Sequence, residues 1–172
     1  MSIESVTVSG IMVKDVKTAT DSQTIKVIAK TMSTHDIGSV VIVDNDKRPV
    51  GILTEKDIVK VVASEGISTH QATAREFMSK PVFTLRETNS IKDALQQMQT
   101  KDIRRLPVVD SKNRMVGIVT DKDIFKALTK SQTLVTSFCE SLMVEYKPIY
   151  DRLSEFMLGE MPVPGGNPSE NF

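Results

Sequence analysis

One cysteine, two histidines and no tryptophan occur among the 172 residues. A lone thiol, Cys139, excludes an intramolecular disulfide, and the sequence reads as that of a cytoplasmic protein. With so few His and Cys, none of them closely spaced, a structural zinc site or a Cys-His nucleophile has no residues to build on. Six Phe and two Tyr are too few to interleave with a basic stripe, and neither a Walker loop nor Gly-x-Gly-x-x-Gly is present. Nucleic-acid binding, nucleotide hydrolysis, enzymatic activity and a catalytic cofactor are therefore not expected. The longest apolar run, Ile37 to Val43, already contains Gly38 and Ser39 and falls far short of the ~20 residues a membrane span needs. The stretch MSIESVTVSG lacks the basic and apolar regions of a leader, so no membrane association is expected. An excess of one charge is missing too: 22 Lys+Arg balance 22 Asp+Glu, leaving no global field for an anionic partner.

What is present is a globular composition, 40% hydrophobic, in a chain long enough for one compact domain or two small ones. The charge balance hides an asymmetry. Residues 1–130 hold 20 Lys+Arg against 16 Asp+Glu, and residues 131–172 hold 2 against 6.

The strongest signal is an internal repeat. A shift of 66 residues superimposes Met12 on Met78, Ile25 on Ile91, Met32 on Met98, Asp36-Ile37 on Asp102-Ile103 and Val50-Gly51-Ile52 on Val116-Gly117-Ile118. Residues 8–62 contain 21 identities in 55 positions without a gap. Two repeats are too few for a solenoid, so the expected product is one pseudo-twofold unit whose halves cover each other's apolar faces.

Both halves read alike. Ile25, Ile28, Ala29 and Met32, like Ile91, Ala94, Leu95 and Met98, have the i, i+3, i+4, i+7 spacing of an amphipathic helix, with start caps offered by Ser22 and by Thr88 to Ser90. Val40 to Val43 and Leu106 to Val109 are β-branched-rich strands running into turns at Asp44-Asn45-Asp46 and Asp110 to Asn113. Second strands, Val50 to Leu53 and Val116 to Val119, lead through Thr into a second helix. Each half is thus β-α-β-β-α, and the polar stretch Glu65 to Thr73 is the linker.

These residues resemble the CBS domain, named after cystathionine β-synthase and usually paired in a Bateman module. The likeness rests on Val16-x-Thr18 and Val82-x-Thr84, on the Val-Val-Asp and Leu-Pro-Val-Val-Asp strands, and on Gly-Ile-(Leu/Val)-Thr-x-Lys-Asp-Ile in both halves. It implies an α/β fold of two CBS repeats, 1–66 and 67–130, packed with pseudo-twofold symmetry; the C-terminal helical extension lies beyond the resemblance. It also implies clefts between the repeats for adenosine-containing ligands, AMP, ADP or ATP first, S-adenosylmethionine or cyclic di-AMP as alternatives. Modules of this kind pair into discs, so a homodimer and an energy-sensing regulatory role are further implications. The ligand set it implies is Thr18, Ile37, Gly38, Ser39, Thr54, Lys56 and Asp57 in the first repeat. In the second it is Thr84, Ile103, Arg104, Arg105, Pro107, Thr120, Lys122 and Asp123.

The residues themselves leave two readings open. Thr54/Asp57 and Thr120/Asp123 have the spacing of a capping box at a strand-to-helix junction. Equally, an ionised Asp offers two acceptor oxygens to a ribose diol, and the helix start, with Lys56 or Lys122 beside it, favours a phosphate. Arg104 and Arg105 suit phosphate oxygens, or are a solvated pair. The first repeat has Gly38-Ser39 in their place, which makes the two sites unequal: the first takes a less charged adenosine, shares the arginines, or takes none.

Beyond residue 130, Val135, Leu142, Ile149 and Phe156 are seven apart, with Cys139, Tyr146 and Leu153 interleaved. This predicts a helical extension over 131–159, kinked or restarted at Pro148. It either docks on its own body or offers residues 133–157 to a second copy or a protein partner. The Pro/Gly-rich stretch 160–172 is expected to be flexible.

Overall fold

The computed structural model describes residues 2–64 and 66–145. After a single 3-10 turn at Val8–Gly10, the first repeat runs β1 (Thr18–Ala19), α1 (Ile25–His35), β2 (Ser39–Val43), β3 (Pro49–Thr54) and α2 (Glu55–Ala63). A short α3 (Ala74–Phe77) leads into β4 (Leu85–Arg86), α4 (Ile91–Lys101), β5 (Arg105–Val109), β6 (Met115–Thr120), α5 (Asp121–Thr129) and α6 (Gln132–Glu145). This is the expected α/β pair of β-α-β-β-α repeats.

Each repeat folds around a three-stranded sheet, ordered β1-β2-β3 and β4-β5-β6. The outer short strand pairs parallel and the hairpin antiparallel, in equivalent register: Ser39 faces Thr54 as Arg105 faces Thr120. Both hairpins carry a register shift one residue before the turn, at Ile42/Val43 and Val108/Val109. The turns close as expected, with Asp44 Oδ1 accepting from the N–H groups of Asp46 and Arg48, and Asp110 Oδ1 from those of Lys112 and Arg114.

The helical stripes are buried: Ile25, Ile28 and Met32 in α1, and Ile91, Ala94 and Met98 in α4. Burial of such Ile and Met side chains is worth about 1.5–3 kcal/mol each. Both helices end on an aspartate in the left-handed region, Asp36 and Asp102 at φ 51°, a conformation that short polar side chains tolerate. The helix starts differ from one another. Ser90 caps α4 in a box with Asp93, but α1 begins after Thr24, not Ser22, and Thr24 makes no side-chain cap bond. The third residue of α1 is Val27, which has no oxygen to close a box.

The halves are tied by exchange of their leading segments. Ile3 and Val8 belong to the core of the second repeat, with Ile91, Leu106 and Ile124. Ala72 and Ala74, which lead the second repeat in the chain, belong to the core of the first. The exchange also satisfies helix-start donors that have no partner within their own helix. Ile25 and Lys26 donate their N–H groups to the carbonyls of Ala72 (2.8 Å) and Thr69 (3.0 Å), and Ile91 and Lys92 donate theirs to Val6 (2.9 Å) and Ile3 (3.4 Å). Further along, Val13 bridges to Ile118 and Ser79 to Ile52. This brings Met12 over Gly117 and Met78 over Gly51, where a Cβ would lie 2.5 Å and 2.3 Å from the respective sulfur. The Gly of each Gly-Ile motif is therefore the floor on which the exchanged methionine rests.

The symmetry fails at one contact between the hairpins. The Met115 N–H donates to the Lys47 carbonyl at 2.9 Å, but the counterpart of Met115 is Pro49, which has no N–H.

The extension begins by docking on its own body. Leu134 is buried in the second core with Phe138 packed beside it, and the Ile3 N–H donates to Ser137 Oγ at 3.3 Å. The buried position is thus one residue before Val135 of the heptad seam. Tyr146, Pro148, Ile149, Leu153, Phe156 and the 160–172 stretch lie outside the described residues.

Candidate functional site

Two clefts open between the repeats, related by the same shift of chain. The first, about 680 Å³, is lined by Ile52, Thr54, Glu55 and Lys56 at the β3–α2 junction, by Ser79 to Phe83, by Asp102 to Arg105, and by Gly38. The second, about 720 Å³, is lined by Ile118 and Thr120 to Asp123 at the β6–α5 junction, by Val13 and Asp15 to Lys17, and by His35 to Ser39. Glu55, Arg104 and Arg105 line it as well. Volumes of this size suit a nucleoside-sized ligand.

Each floor is a strand running straight into a helix, and the sequence folds it so by capping. Asp57 Oδ2 accepts from the Thr54 N–H (3.0 Å) and hydroxyl (2.7 Å), and Asp123 Oδ2 from those of Thr120 (2.9 and 2.7 Å). The returning bonds to the Thr hydroxyls complete both boxes. One carboxylate oxygen at each junction is thereby used by the fold. The other oxygen of Asp57, Oδ1, lies 3.6 Å from Lys60 Nζ.

The wall between the clefts is where the repeats differ. Gly38, half-buried, stands at the place of Arg104, and the Glu55 carboxylate folds over it so closely that a Cβ would lie 3.2 Å from Oε2. Arg105, at the place of Ser39, reaches across and donates to the Gly38 carbonyl at 3.2 Å. Both arginines therefore face both clefts, whereas Ser39 faces only the one that holds Asp123. The polar inequality is crossed relative to the chain: the Gly38-Ser39 edge lies opposite the junction of the second repeat.

Of the residues singled out on the sequence, Thr54, Lys56 and Ile103 line the first cleft. Ile37, Ser39, Thr120, Lys122 and Asp123 line the second, and Gly38, Arg104 and Arg105 line both. Four line neither. Asp57 is 8% exposed behind Thr54, Thr18 is exposed on β1, and Pro107 is buried opposite Ile118. Thr84 lines a separate depression with Asn89, Asp93 and Lys101. Sequence reading missed the leading segments Asp15 to Lys17 and Ser79 to Phe83, and the carboxylates Glu55, Asp102 and Asp121. The 66-residue shift does carry a trace of those segments, in the matched Lys14/Lys80 and Val16/Val82.

Three carboxyls are held below their ordinary pKa by hydrogen bonds, foremost from backbone N–H groups: Glu76 by Thr73, Asp93 by Ser90 and Asp110 by Arg114. None of them lines a cleft. Among the described residues no group of three or more His, Cys, Asp or Glu is placed to hold a metal ion. No described helix is long and apolar enough to cross a membrane.

Comparison with known proteins agrees with this architecture. The model of the CBS domain matches residues 8–64 and 74–130. Uncharacterized protein MK0525 of Methanopyrus kandleri is 42% identical over 124 residues, which cover 72% of this chain and 63% of that protein, so the chain spans less than two thirds of that relative. Among solved structures, the CBS domain pair of protein MJ0100 in complex with 5'-methylthioadenosine and S-adenosyl-L-methionine superimposes with a TM-score of 0.66. It is 33% identical, and the match covers 73% of this chain and 97% of that one. The cytosolic domain of the Mg2+ channel MgtE in complex with ATP matches with a TM-score of 0.61 and 25% identity, over 73% of this chain and 50% of that one.

Proposed function

The chain belongs to the CBS domain family, and from that premise we propose that it is a regulatory module, not an enzyme, whose two clefts take adenosine-containing ligands. The observation that carries this reading is the convergence of two equivalent clefts, each floored by a Thr-x-Lys-Asp junction, on one pair of arginines. Repeats 1–66 and 67–130 act as one unit, because each completes the core of the other. In the reading proposed, Asp123 accepts from ribose hydroxyls with the oxygen its cap leaves over, whereas Asp57, 8% exposed behind Thr54 and with its Oδ1 3.6 Å from Lys60 Nζ, serves as a cap. Lys56 and the two arginines meet phosphates, which favours AMP, ADP or ATP, and Lys122 stands at the corresponding place in the second cleft. Occupancy then alters the relation of the two repeats, and through a cytoplasmic homodimer or a protein partner of residues 133–157 it becomes an energy signal.

The completed capping boxes favour a second reading, in which the module serves assembly and the aspartates serve only as caps. Calorimetry separates the two. Titration with AMP, ADP, ATP, S-adenosylmethionine, 5'-methylthioadenosine and cyclic di-AMP is expected to give heat for at least one adenosine compound. Asp123→Ala is expected to weaken that ligand about tenfold or more, the loss of a charge-assisted bond, and Asp57→Ala, at a residue outside both clefts, to weaken it far less. No binding by any of them, with a folded protein, overturns the ligand reading in favour of assembly.

A further inference from the structure

The two clefts have corresponding backbones and opposite charge. In the first, Lys56, Lys80, Arg104 and Arg105 face only Glu55 and Asp102. The second keeps the arginines and Glu55, and adds Lys17 and Lys122. It also adds Asp15, Asp36, Asp121 and Asp123, so four cations there face five carboxylates. Lys17 is moreover held by Asp15 at 3.0 Å, which leaves less of its charge for an anion. The two arginines are the one cationic element that the clefts share. Arg104 is exposed, and its guanidinium has no hydrogen bond or ion pair among the described residues. Arg105 is tied to the first repeat by a single bond to Gly38. Neither is committed to one cleft.

Resting on the reading of both clefts as adenosine sites, we infer that they divide ligands by charge and are coupled through the shared arginines. The cleft with Lys56 and Lys80 takes a polyphosphorylated adenosine. The cleft with Asp36 and Asp123 takes an adenosine derivative that is uncharged or positive, as a sulfonium is. A polyphosphate in the first draws both guanidinium groups toward itself and leaves the second with two lysines against five carboxylates. Occupancy by the anion therefore tightens the cation and weakens a second anion, and by linkage the cation tightens the anion by the same factor.

The probes are ATP and S-adenosylmethionine, titrated into the full chain by calorimetry, each alone and each at saturation of the other. One site per chain is expected for each, and saturating ATP should tighten S-adenosylmethionine by about fivefold or more, the lower end of ordinary coupling between sites. Added salt should shrink the factor. Lys80→Gln should weaken ATP about fivefold with S-adenosylmethionine unchanged, and Lys56→Gln, equally exposed, serves if the first variant does not fold. Asp36→Asn, which keeps a residue at home in the left-handed region, should weaken only S-adenosylmethionine. If both probes bind but exclude one another, or ATP leaves S-adenosylmethionine unchanged or weaker, the inference falls and the adenosine reading stands. If neither binds, nor any compound of the wider panel, the adenosine reading itself falls.

Discussion

The second helices of the two repeats, α2 and α5, occupy equivalent places and start with the same capping box, but only α5 is covered. Val62 on α2 is 67% exposed, whereas its counterpart Leu128 on α5 is 5% exposed, because Leu134 and Phe138 of α6 belong to that core. Three residues earlier the helices are alike again, with Val59 at 64% and Phe125 at 54%. Val61 on α2 is fully buried, so what the repeat does not need in order to fold is cover over the outward face of that helix, and the extension adds such cover to one half alone. The wall between the clefts repeats the lesson in polar form. One backbone carries Gly38-Ser39 on one side and Arg104-Arg105 on the other, so fold and charge vary independently.

The widest gap between the halves should appear on truncating the covered helix. Leu128→Ala is expected to lower the unfolding free energy by about 2–5 kcal/mol, and Val62→Ala by less than about 0.5 kcal/mol, both by urea denaturation. Similar losses would remove α6 as the difference. Next in size is the wall. Arg105→Ala should weaken ATP by about tenfold or more, roughly 1.5–3 kcal/mol, and Ser39→Ala by less than about twofold; calorimetry giving equal losses would abolish the charge asymmetry. Third are the two glycine floors, where added carbon overpacks at a cost of about 1–3 kcal/mol. Gly117→Ala should cost more than Gly51→Ala in a thermal melt, because the Val13 carbonyl, a backbone atom, also lies 3.0 Å from the new Cβ. A larger loss at Gly51 would mean that the methionines alone set the fit.

The smallest effect concerns the caps of α4 and α1. Asp93→Ala should cost about 1 kcal/mol at neutral pH, toward the low end because the carboxylate is exposed. The Ser90 N–H holds its pKa below the ordinary 3.8 in the folded state. Its contribution is thus present above that value and is lost as pH falls through it to the lowered folded pKa. The gap between wild type and variant should narrow as the pH falls below 3.8; a constant gap would make the loss one of packing. In the other repeat, Val27→Asp should stabilise by a similar amount if Thr24 turns its hydroxyl inward.

The elements were legible because each is written locally: a 3.6-residue stripe for α1 and α4, β-branched runs ending in Asp for β2 and β5, Thr-x-x-Asp for the starts of α2 and α5. The exchange of leading segments was not. Ile3 and Val8 give no periodic signal, and nothing beside them in the chain says that their core lies beyond Asn89. The same limit explains Ser22. Local chemistry offers it as a cap, but the carbonyls of Thr69 and Ala72 satisfy the first donors of α1, and the helix starts two residues later. At the clefts, the junctions and arginines were legible as chemistry. Their crossed pairing, with the Gly38-Ser39 edge opposite Thr120, was not, since a repeat read in one dimension cannot tell which half of the other it faces.

The exchange also orders the birth of the protein. During synthesis the first repeat has all its parts once Ser79 has emerged, since Ala72, Ala74 and Met78 follow it closely. Ile3 and Val8 are made earlier than anything else in their core and must wait until Asn89 and α4 exist. Loop entropy hardly distinguishes the two closures, because doubling a loop costs only about 0.6 kcal/mol. Waiting time does, at roughly 5–20 residues made per second. For those seconds Ile3 and Val8 have no core to enter, and the arm is open to a chaperone or a protease. Protease pulses on stalled nascent chains should cut near Val8 until α4 is out of the ribosome, and protection arriving any earlier would contradict that order.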